Sequence, residues 1–186
     1  SNSVDCLVRV LVVKTSSMGD LVHTLPALTD ASKAIGEIRF DWICEPAFAD
    51  IPHWHPAIRD VFQIPLRMWK GKIHHLLLSN ELANYKKKLS GDRYDAIIDA
   101  QGLLKSAYFV TRFTKGPKHG FDWHSSRESF ASVAYDFRHR IDRSKHAISR
   151  IRELFAKSLG YPMPDSFPDA SIDLMRSTAK TDRLVL

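Results

Sequence analysis

Cysteine is nearly missing from this chain: two residues, Cys6 and Cys44, in 186. Neither belongs to a Cys-x-x-Cys pair, which excludes a disulfide framework and points to a reducing, cytoplasmic setting. Both read as small hydrophobes or free thiols. Long apolar runs are also lacking. No stretch approaches the roughly 18 residues that a membrane span needs, and Ser1-Asn2-Ser3-Val4-Asp5 has neither the basic start nor the apolar centre of a signal peptide. No internal repeat or low-complexity tract is present. The first apolar run is not followed by Gly-x-Gly-x-x-Gly, which argues against a nicotinamide enzyme, and no Gly-x-x-x-x-Gly-Lys-Ser/Thr supports a P-loop kinase. Histidine is plentiful, at nine residues, but His53-Trp54-His55 and His74-His75 have no helix-spaced His/Glu set and no cysteine pair beside them. They read as surface or packing residues rather than as metal ligands. Acidic residues are the scarcer charge: 21 Asp and Glu against 27 Lys and Arg, for a net charge of +6 and a pI near 9.4. That balance favours an anionic partner (nucleic acid, phosphates, acidic sugars or an acidic membrane) without choosing among them.

What is present is an ordinary globular composition, 44% hydrophobic and 26% charged, long enough for one domain or slightly more. Strand-like and helix-like patterns alternate. Val8–Val13 is a near-continuous apolar run, as expected of a strand buried on both faces. A helical pattern follows from Asp20 to about Ile35, with Pro26 inside it to distort or delay the helix by a turn and Gly36 to stop it. Ile38–Cys44 alternates as a second strand, Ala47–Ile51 reads as a short helix, and Asp60–Ile64 as a third strand stopped by Pro65. The polar, cationic stretch from Arg67 to Ser90 reads as helices joined by loop. Tyr94–Ala100 is a fourth strand, Leu103 to about Thr114 a helix, and His119-Gly120-Phe121 a short fifth strand. Arg127–Tyr135 and Lys145–Leu159 read as helices, the latter with Ile148, Ile151, Leu154, Phe155 and Leu159 on one face. Tyr161–Pro168, with three prolines, reads as a linker. Arg183–Leu186 looks like the start of a strand, so a second domain is expected beyond it. Strand alternating with helix implies a Rossmann-like α/β domain: a mostly parallel sheet with helices on both faces, over residues 1–160, with 161–186 as linker and the start of another domain.

The chemistry gathers where strands end. After Val13 come Lys14-Thr15-Ser16-Ser17-Met18-Gly19-Asp20, which puts a carboxylate and three hydroxyls at the carboxyl end of a buried strand, the place where open α/β sheets bind ligands. Hydroxyls and a glycine ahead of a helix can cradle an anion through backbone N–H groups. Asp20 reads either as a helix N-cap or as a general base that removes a proton from an attacking hydroxyl, partial burial raising its basicity. Lys14 reads either as a snorkelling lysine or as a holder of an acidic group. Asp99-Ala100-Gln101-Gly102 repeats the logic at the fourth strand. Asp99 is either a turn residue bonded to its own backbone or a second carboxylate facing the same cleft. The remaining arginines and lysines are mostly solvated surface, with Arg67 and Arg127 the better candidates for gripping carboxylate or phosphate.

Several segments together resemble the amino-terminal half of the bacterial lipopolysaccharide heptosyltransferases. They are Arg9–Asp20, His23–Asp30, Tyr94–Gly102, Lys118–Trp123, Arg127-Glu128 and Arg152–Tyr161. The resemblance implies the amino-terminal half of a two-domain GT-B glycosyltransferase. It implies an inverting, metal-independent transfer of heptose from ADP-L-glycero-β-D-manno-heptose onto a Kdo sugar of Kdo2-lipid A, with no cofactor. Asp20 would be the base. Lys14, Thr15, Ser16, Ser17, Gly19, Asp99, Gln101 and Gly102 would line the cleft, and Arg67, Lys70 and Arg127 would meet the anionic acceptor. The enzyme would lie peripherally on the cytoplasmic face of the inner membrane, with no nucleic-acid partner. Donor-holding residues would lie beyond this polypeptide, so that alone it would not transfer heptose. Two other readings stand beside this one. The first is a non-catalytic anion- or nucleic-acid-binding module, for which Trp42, Trp54, Trp69 and Trp123 are scattered through apolar contexts rather than arranged for stacking. The second is a transferase of the same superfamily acting on a later heptose.

Overall fold

The computed structural model describes residues 6–66 and 80–172. Val8–Val13 forms β1, paired on one side with β2 (Ile38–Cys44) and on the other with β4 (Ala96–Asp99). A strand with neighbours on both edges and helices on both faces has no side left for water, hence its apolar sequence. Val10 to Val13 are at most 1% exposed. β3 (Ile58–Gln63) lies outside β2, and β5 (Lys118–Phe121) and β6 (Phe137–His139) follow β4. The order is β3-β2-β1-β4-β5-β6 and every pairing is parallel. The chain therefore reverses its direction of travel across the sheet between β1 and β4, which leaves a crevice beyond their carboxyl ends.

Side-chain alternation along β1 sorts the two faces. Val10 and Val12 pack with Leu25 and Leu28 of α2 (Leu25–Ile35) and with Ile151, Leu154 and Phe155 of α5 (Ala147–Leu159). Leu11 and Val13 pack on the other face with Leu89 of α3 (Asn80–Ser90), Tyr94, and Phe113 of α4 (Leu104–Phe113). Each large side chain so buried contributes roughly 1.5–3 kcal/mol by leaving water. Cys44 belongs to the first core, where burial pushes its thiol up to about 12, while Cys6 is a free, exposed thiol.

The elements differ from the sequence expectations in instructive ways. The single helix expected from Asp20 to Ile35 is two: α1 (Met18–Val22), then α2 starting at Leu25. Pro26 falls in the first turn of α2, where its missing N–H costs no helical hydrogen bond. The helix expected at Ala47–Ile51 is replaced by two 3₁₀ turns, Pro46–Phe48 and Pro52–Trp54, each opening on a proline. Arg127–Tyr135 is not an α-helix; a 3₁₀ segment, Ser129–Ala134, takes its place. β6 is an unforeseen edge strand three residues long, Phe-Arg-His, too short to show a period. Of the stretch from Arg67 to Ser90, only α3 lies within the described residues, and Arg183–Leu186 lies outside them. Residues 161–172 carry no regular structure, yet the chain there is tied down. Arg152, on α5, forms a bidentate pair with Asp30 on α2 (2.6 and 3.0 Å) and also donates to the Ser166 carbonyl (2.9 Å).

Gly120 is required by a close approach. A Cβ there would run into the ring of Tyr135, whose hydroxyl donates to Asp99. The bare backbone of β5 lets Tyr135 reach the end of β4.

Candidate functional site

The parallel register brings Val13 beside both Ile43 and Asp99, so the residues following β1, β2 and β4 emerge together. Lys14 is held there from several directions. Its N–H donates to the Ile43 carbonyl, its carbonyl accepts from the Trp42 indole (2.9 Å), and its ammonium donates to the Ala100 carbonyl (3.2 Å). Burial lowers the Lys14 pKa, and the charges of Arg127 and Arg150 add to that, while Asp20 and Asp99 pull the other way. Thr15 is buried; its N–H donates to the Gln101 side-chain oxygen (3.1 Å) and its carbonyl accepts from Glu45 N–H. The loop after β1 is thus stitched to the ends of β2 and β4 before α1 begins.

Asp20 sits in the first turn of α1, three residues after Ser17. It is not the N-cap. One carboxylate oxygen, Oδ2, accepts from both the Ser17 N–H and the Ser17 hydroxyl (3.0 Å each), reaching back as an acidic residue at the third helical position does. Burial alone would raise its pKa, but the Ser17 N–H, the Lys14 charge and the Ser17 hydroxyl outweigh it, and the carboxyl lies below its ordinary value. The expectation that partial burial would make Asp20 more basic is thereby reversed: its neighbours favour the charged form more than burial disfavours it.

Asp20 lines a polar cleft of about 140 Å³ together with Lys14, His23, Gln101, Phe121, Ser125, Arg127 and Arg150. One carboxylate therefore faces three cations across a small space. Arg150, on α5, donates to the Ser125 carbonyl (2.6 Å) and lies over the Phe121 ring, 4.9 Å from its centroid. Its Nε is buried without a hydrogen-bond partner among the described residues, as is Nδ1 of His23. Burial lowers the Arg150 pKa, the Arg143 charge adding to it against Asp142 and Glu153. Buried polar atoms without partners are costly, so two of them in one cleft, one a guanidinium donor and one a ring nitrogen, mark a surface shaped for a polar ligand. A second recess, of about 200 Å³, is lined by Thr15, Ser16, Gln101 and Lys105 among others, with Gln101 common to both.

The site residues expected from the sequence fall into four groups. Lys14, Asp20, Gln101 and Arg127 share the first cleft, and Thr15, Ser16 and Gln101 the second. Ser17 and Gly19 are on the exposed start of α1, where Ser17 acts through Asp20 and no group approaches Gly19 closely enough to demand a glycine. Asp99 does not face the cleft. It is fully buried, and its carboxylate accepts from the N–H groups of Gln101 and Gly102 and from the hydroxyls of Ser106 and Tyr135. Burial raises its pKa despite these four donors. Asp99 and Gly102, which turns at φ +66°, build the loop that presents Gln101. Arg67 and Lys70 lie outside the described residues. His55 is a packing histidine, its ring bonded to the Thr29 hydroxyl and the Ala57 N–H. Among the described residues no cluster of three or more His, Cys, Asp or Glu forms a metal site. Sequence reasoning missed His23 and Arg150. His23 was within reach of it, since it caps α1 three residues after Asp20, a spacing that shares a helix face; Arg150 was not, because it reaches the cleft from α5, far along the chain.

Comparison with known proteins bears on what this cleft belongs to. A model of glycosyltransferase family 9 (heptosyltransferase) matches residues 82–185. Lipopolysaccharide heptosyltransferase 1 of Escherichia coli strain K12 is 51% identical over 88% of this chain, covering 51% of its own length. The chain belongs to glycosyltransferase family 9. The protein of the same name from Pseudomonas aeruginosa is 47% identical over 89% of the family 9 chain described here and 46% of itself. The structure of E. coli heptosyltransferase WaaC with ADP superposes with a TM-score of 0.80 at 50% identity, over 88% of this chain and 51% of that one. E. coli ADP-heptose lps heptosyltransferase II, at 14% identity and a TM-score of 0.63, shares the fold. The family 9 chain spans about half the length of the curated relatives it matches. Its α/β architecture is that of half a GT-B heptosyltransferase.

Proposed function

We propose that this chain is the acceptor-binding half of an inverting heptosyltransferase, moving L-glycero-D-manno-heptose from ADP-heptose onto a Kdo sugar of Kdo2-lipid A at the cytoplasmic face of the inner membrane. The observation that carries the reading is the cleft itself: an ionised Asp20 beside Lys14, Arg127 and Arg150, with the Arg150 Nε unpartnered. The similarity to lipopolysaccharide heptosyltransferase 1 supports heptose as the transferred group. One similar structure is that of E. coli heptosyltransferase WaaC with ADP-2-deoxy-2-fluoro heptose.

The chemistry follows from the charges. An acidic sugar brings a carboxylate, and a guanidinium presents two parallel N–H donors to it, fixing orientation as well as position. Arg127 and Arg150 supply that grip, and Lys14 supplies a further positive charge. Once the sugar is seated, its attacking hydroxyl lies against Asp20. As the hydroxyl oxygen bonds to the anomeric carbon of the donor, the C–O bond to ADP breaks, the ADP leaves with the electron pair, and the hydroxyl proton passes to the Asp20 carboxylate. Attack opposite the leaving group inverts the anomeric centre. The low pKa makes Asp20 a modest base that is always in its charged form at neutral pH, so the transfer accompanies bond formation rather than preceding it. General-base help of this kind contributes about 10²- to 10⁴-fold in rate. On the acceptor side the residues present suffice, Lys14, Arg127 and Arg150 meeting the charge of the sugar and Asp20 taking the proton.

Calorimetric titration of the chain with a Kdo disaccharide tests the acceptor half of this reading. Binding is expected in the wild type and in Asp20→Asn, and Arg150→Ala is expected to weaken it roughly 10- to 100-fold, the worth of one or two charge-assisted hydrogen bonds. Equal affinity in Arg150→Ala contradicts it.

A further inference from the structure

Outside the cleft, one surface is built the wrong way round for a protein that faces only water. α4 and the 3₁₀ segment Ser129–Ala134 pack on each other through small residues: Ala107 and Ala131 form a buried cluster with Tyr135. Other, larger apolar residues of the same two elements are outside. Leu104 and Tyr108, four apart, share a face of α4. Phe130 and Val133, three apart, are eclipsed on one side of the 3₁₀ turn. Trp123 meets Phe130 edge-on, with ring centroids 4.8 Å apart. These five side chains are between 46% and 67% exposed. Scattered apolar exposure needs no explanation, but aromatics gathered over adjoining elements do.

Cations predominate around them. Residues 104–113 contain Lys105 and Arg112 and no acid. The Arg112 guanidinium lies 5.4 Å from the Tyr108 ring centroid, and His124 is exposed next to Trp123. Glu128 is the sole acid in 123–134, and its carboxylate is taken up by the Leu104 N–H at the start of α4. Aromatic rings among cations suit a bilayer interface, where the rings enter the headgroup layer and the cations meet anionic lipids. The segment that carries Trp123 also sends Phe121, Ser125 and Arg127 into the cleft.

We infer that Trp123, Phe130, Val133, Leu104 and Tyr108, with Arg112 and Lys105, form the surface by which this domain docks on an anionic phospholipid bilayer, beside the mouth of the acceptor cleft. The inference rests on the proposed function in one respect, that the acceptor is membrane-anchored. A sugar carried at the headgroup layer would then meet the cleft without the lipid leaving the membrane.

The test is co-sedimentation of the 186-residue chain with vesicles that contain no sugar lipid, so that it runs independently of heptose transfer. Phosphatidylcholine vesicles with about one third phosphatidylglycerol are expected to bind the chain about tenfold or more tightly than phosphatidylcholine alone. The double variant Phe130→Ser/Val133→Ser is expected to lose about tenfold or more, with an unchanged melting temperature since both residues are exposed. Arg112→Glu is expected to weaken binding to the anionic vesicles only. Wild-type chain that ignores both vesicles, or a double variant that binds as the wild type does, overturns the inference. So does a self-association that the double variant abolishes, which would make the patch a contact between copies. So does binding that vanishes when the same surface is carried by a full-length two-domain enzyme, which would make it an interface with the rest of the polypeptide. Vesicle binding in an Asp20→Asn variant that no longer transfers heptose separates the two claims, since neither depends on the other's result.

Discussion

Asp20 is the residue on which the proposed chemistry turns, and its environment is a competition among named groups. Burial favours the neutral acid; the Ser17 N–H, Lys14 and the Ser17 hydroxyl favour the carboxylate and prevail. Because the folded-state pKa is depressed, the charged form persists until the pH falls below the usual carboxylate range, and the rate should fall only there. Removing the Lys14 charge takes away one of the depressing influences. Lys14→Met is therefore expected to move the acid limb of the rate profile to higher pH, a shift read from kcat/KM as the pH is lowered from about 6 through the ordinary carboxylate range and below it. A limb that stays put would mean that Lys14 does not act on the base. The same logic separates Asp20 from Asp99. Both are aspartates next to strand ends, yet four donors enclose Asp99 and no solvent reaches it, whereas both hydrogen bonds to Asp20 fall on a single oxygen.

At the scale of elements, the cleft depends on how α5 is seated. α5 brings Arg150 to the cleft from one side and is fastened on the other by the Arg152–Asp30 pair, whose side chains are each 5% exposed. Breaking one partner of such a pair leaves a buried charge uncompensated, at a cost of about 3–5 kcal/mol. Asp30→Ala is expected to lower stability by that order in urea unfolding, and to release residues 161–172, because Arg152 also holds the Ser166 carbonyl. Early cleavage by a protease in that segment would register the release. A loss under about 1 kcal/mol would mean that the pair is solvated in practice. Elements also differ in how plainly they are written. β1, β2 and β4 are apolar runs or clean alternations, because each is paired on both edges, and α5 shows its stripe because one face meets the sheet. β6 is paired only with β5 and is barely buried, so hydrophobicity does not mark it. The break between α1 and α2 could be suspected from Pro26 but not located, since proline is tolerated in the first turn of a helix as readily as after its end.

For the molecule as a whole, the alternation of strands and helices was enough to foresee a parallel Rossmann-like sheet, and its order then dictates where a crevice must open. The Lys14–Asp20 loop could be read as a site because its residues are contiguous. The opposite wall could not: Phe121, Ser125 and Arg150 reach the cleft from parts of the chain far from that loop. Their meeting is a consequence of tertiary packing that no local pattern encodes. The positive charge of the whole chain pointed to an anionic partner, and three of its cations line the cleft that holds Asp20.

The most direct test of that base is the rate of heptose transfer by Asp20→Asn in a full-length two-domain enzyme, measured at saturating acceptor and donor beside the acceptor dissociation constant. The side chain keeps its shape and its bond from the Ser17 N–H but can no longer take a proton. If Asp20 is the base, kcat falls by about 10²- to 10⁴-fold with acceptor affinity nearly unchanged. A kcat within a few-fold of the wild type (roughly 1 kcal/mol in barrier) would contradict it and leave Asp20 as a residue that shapes the start of α1.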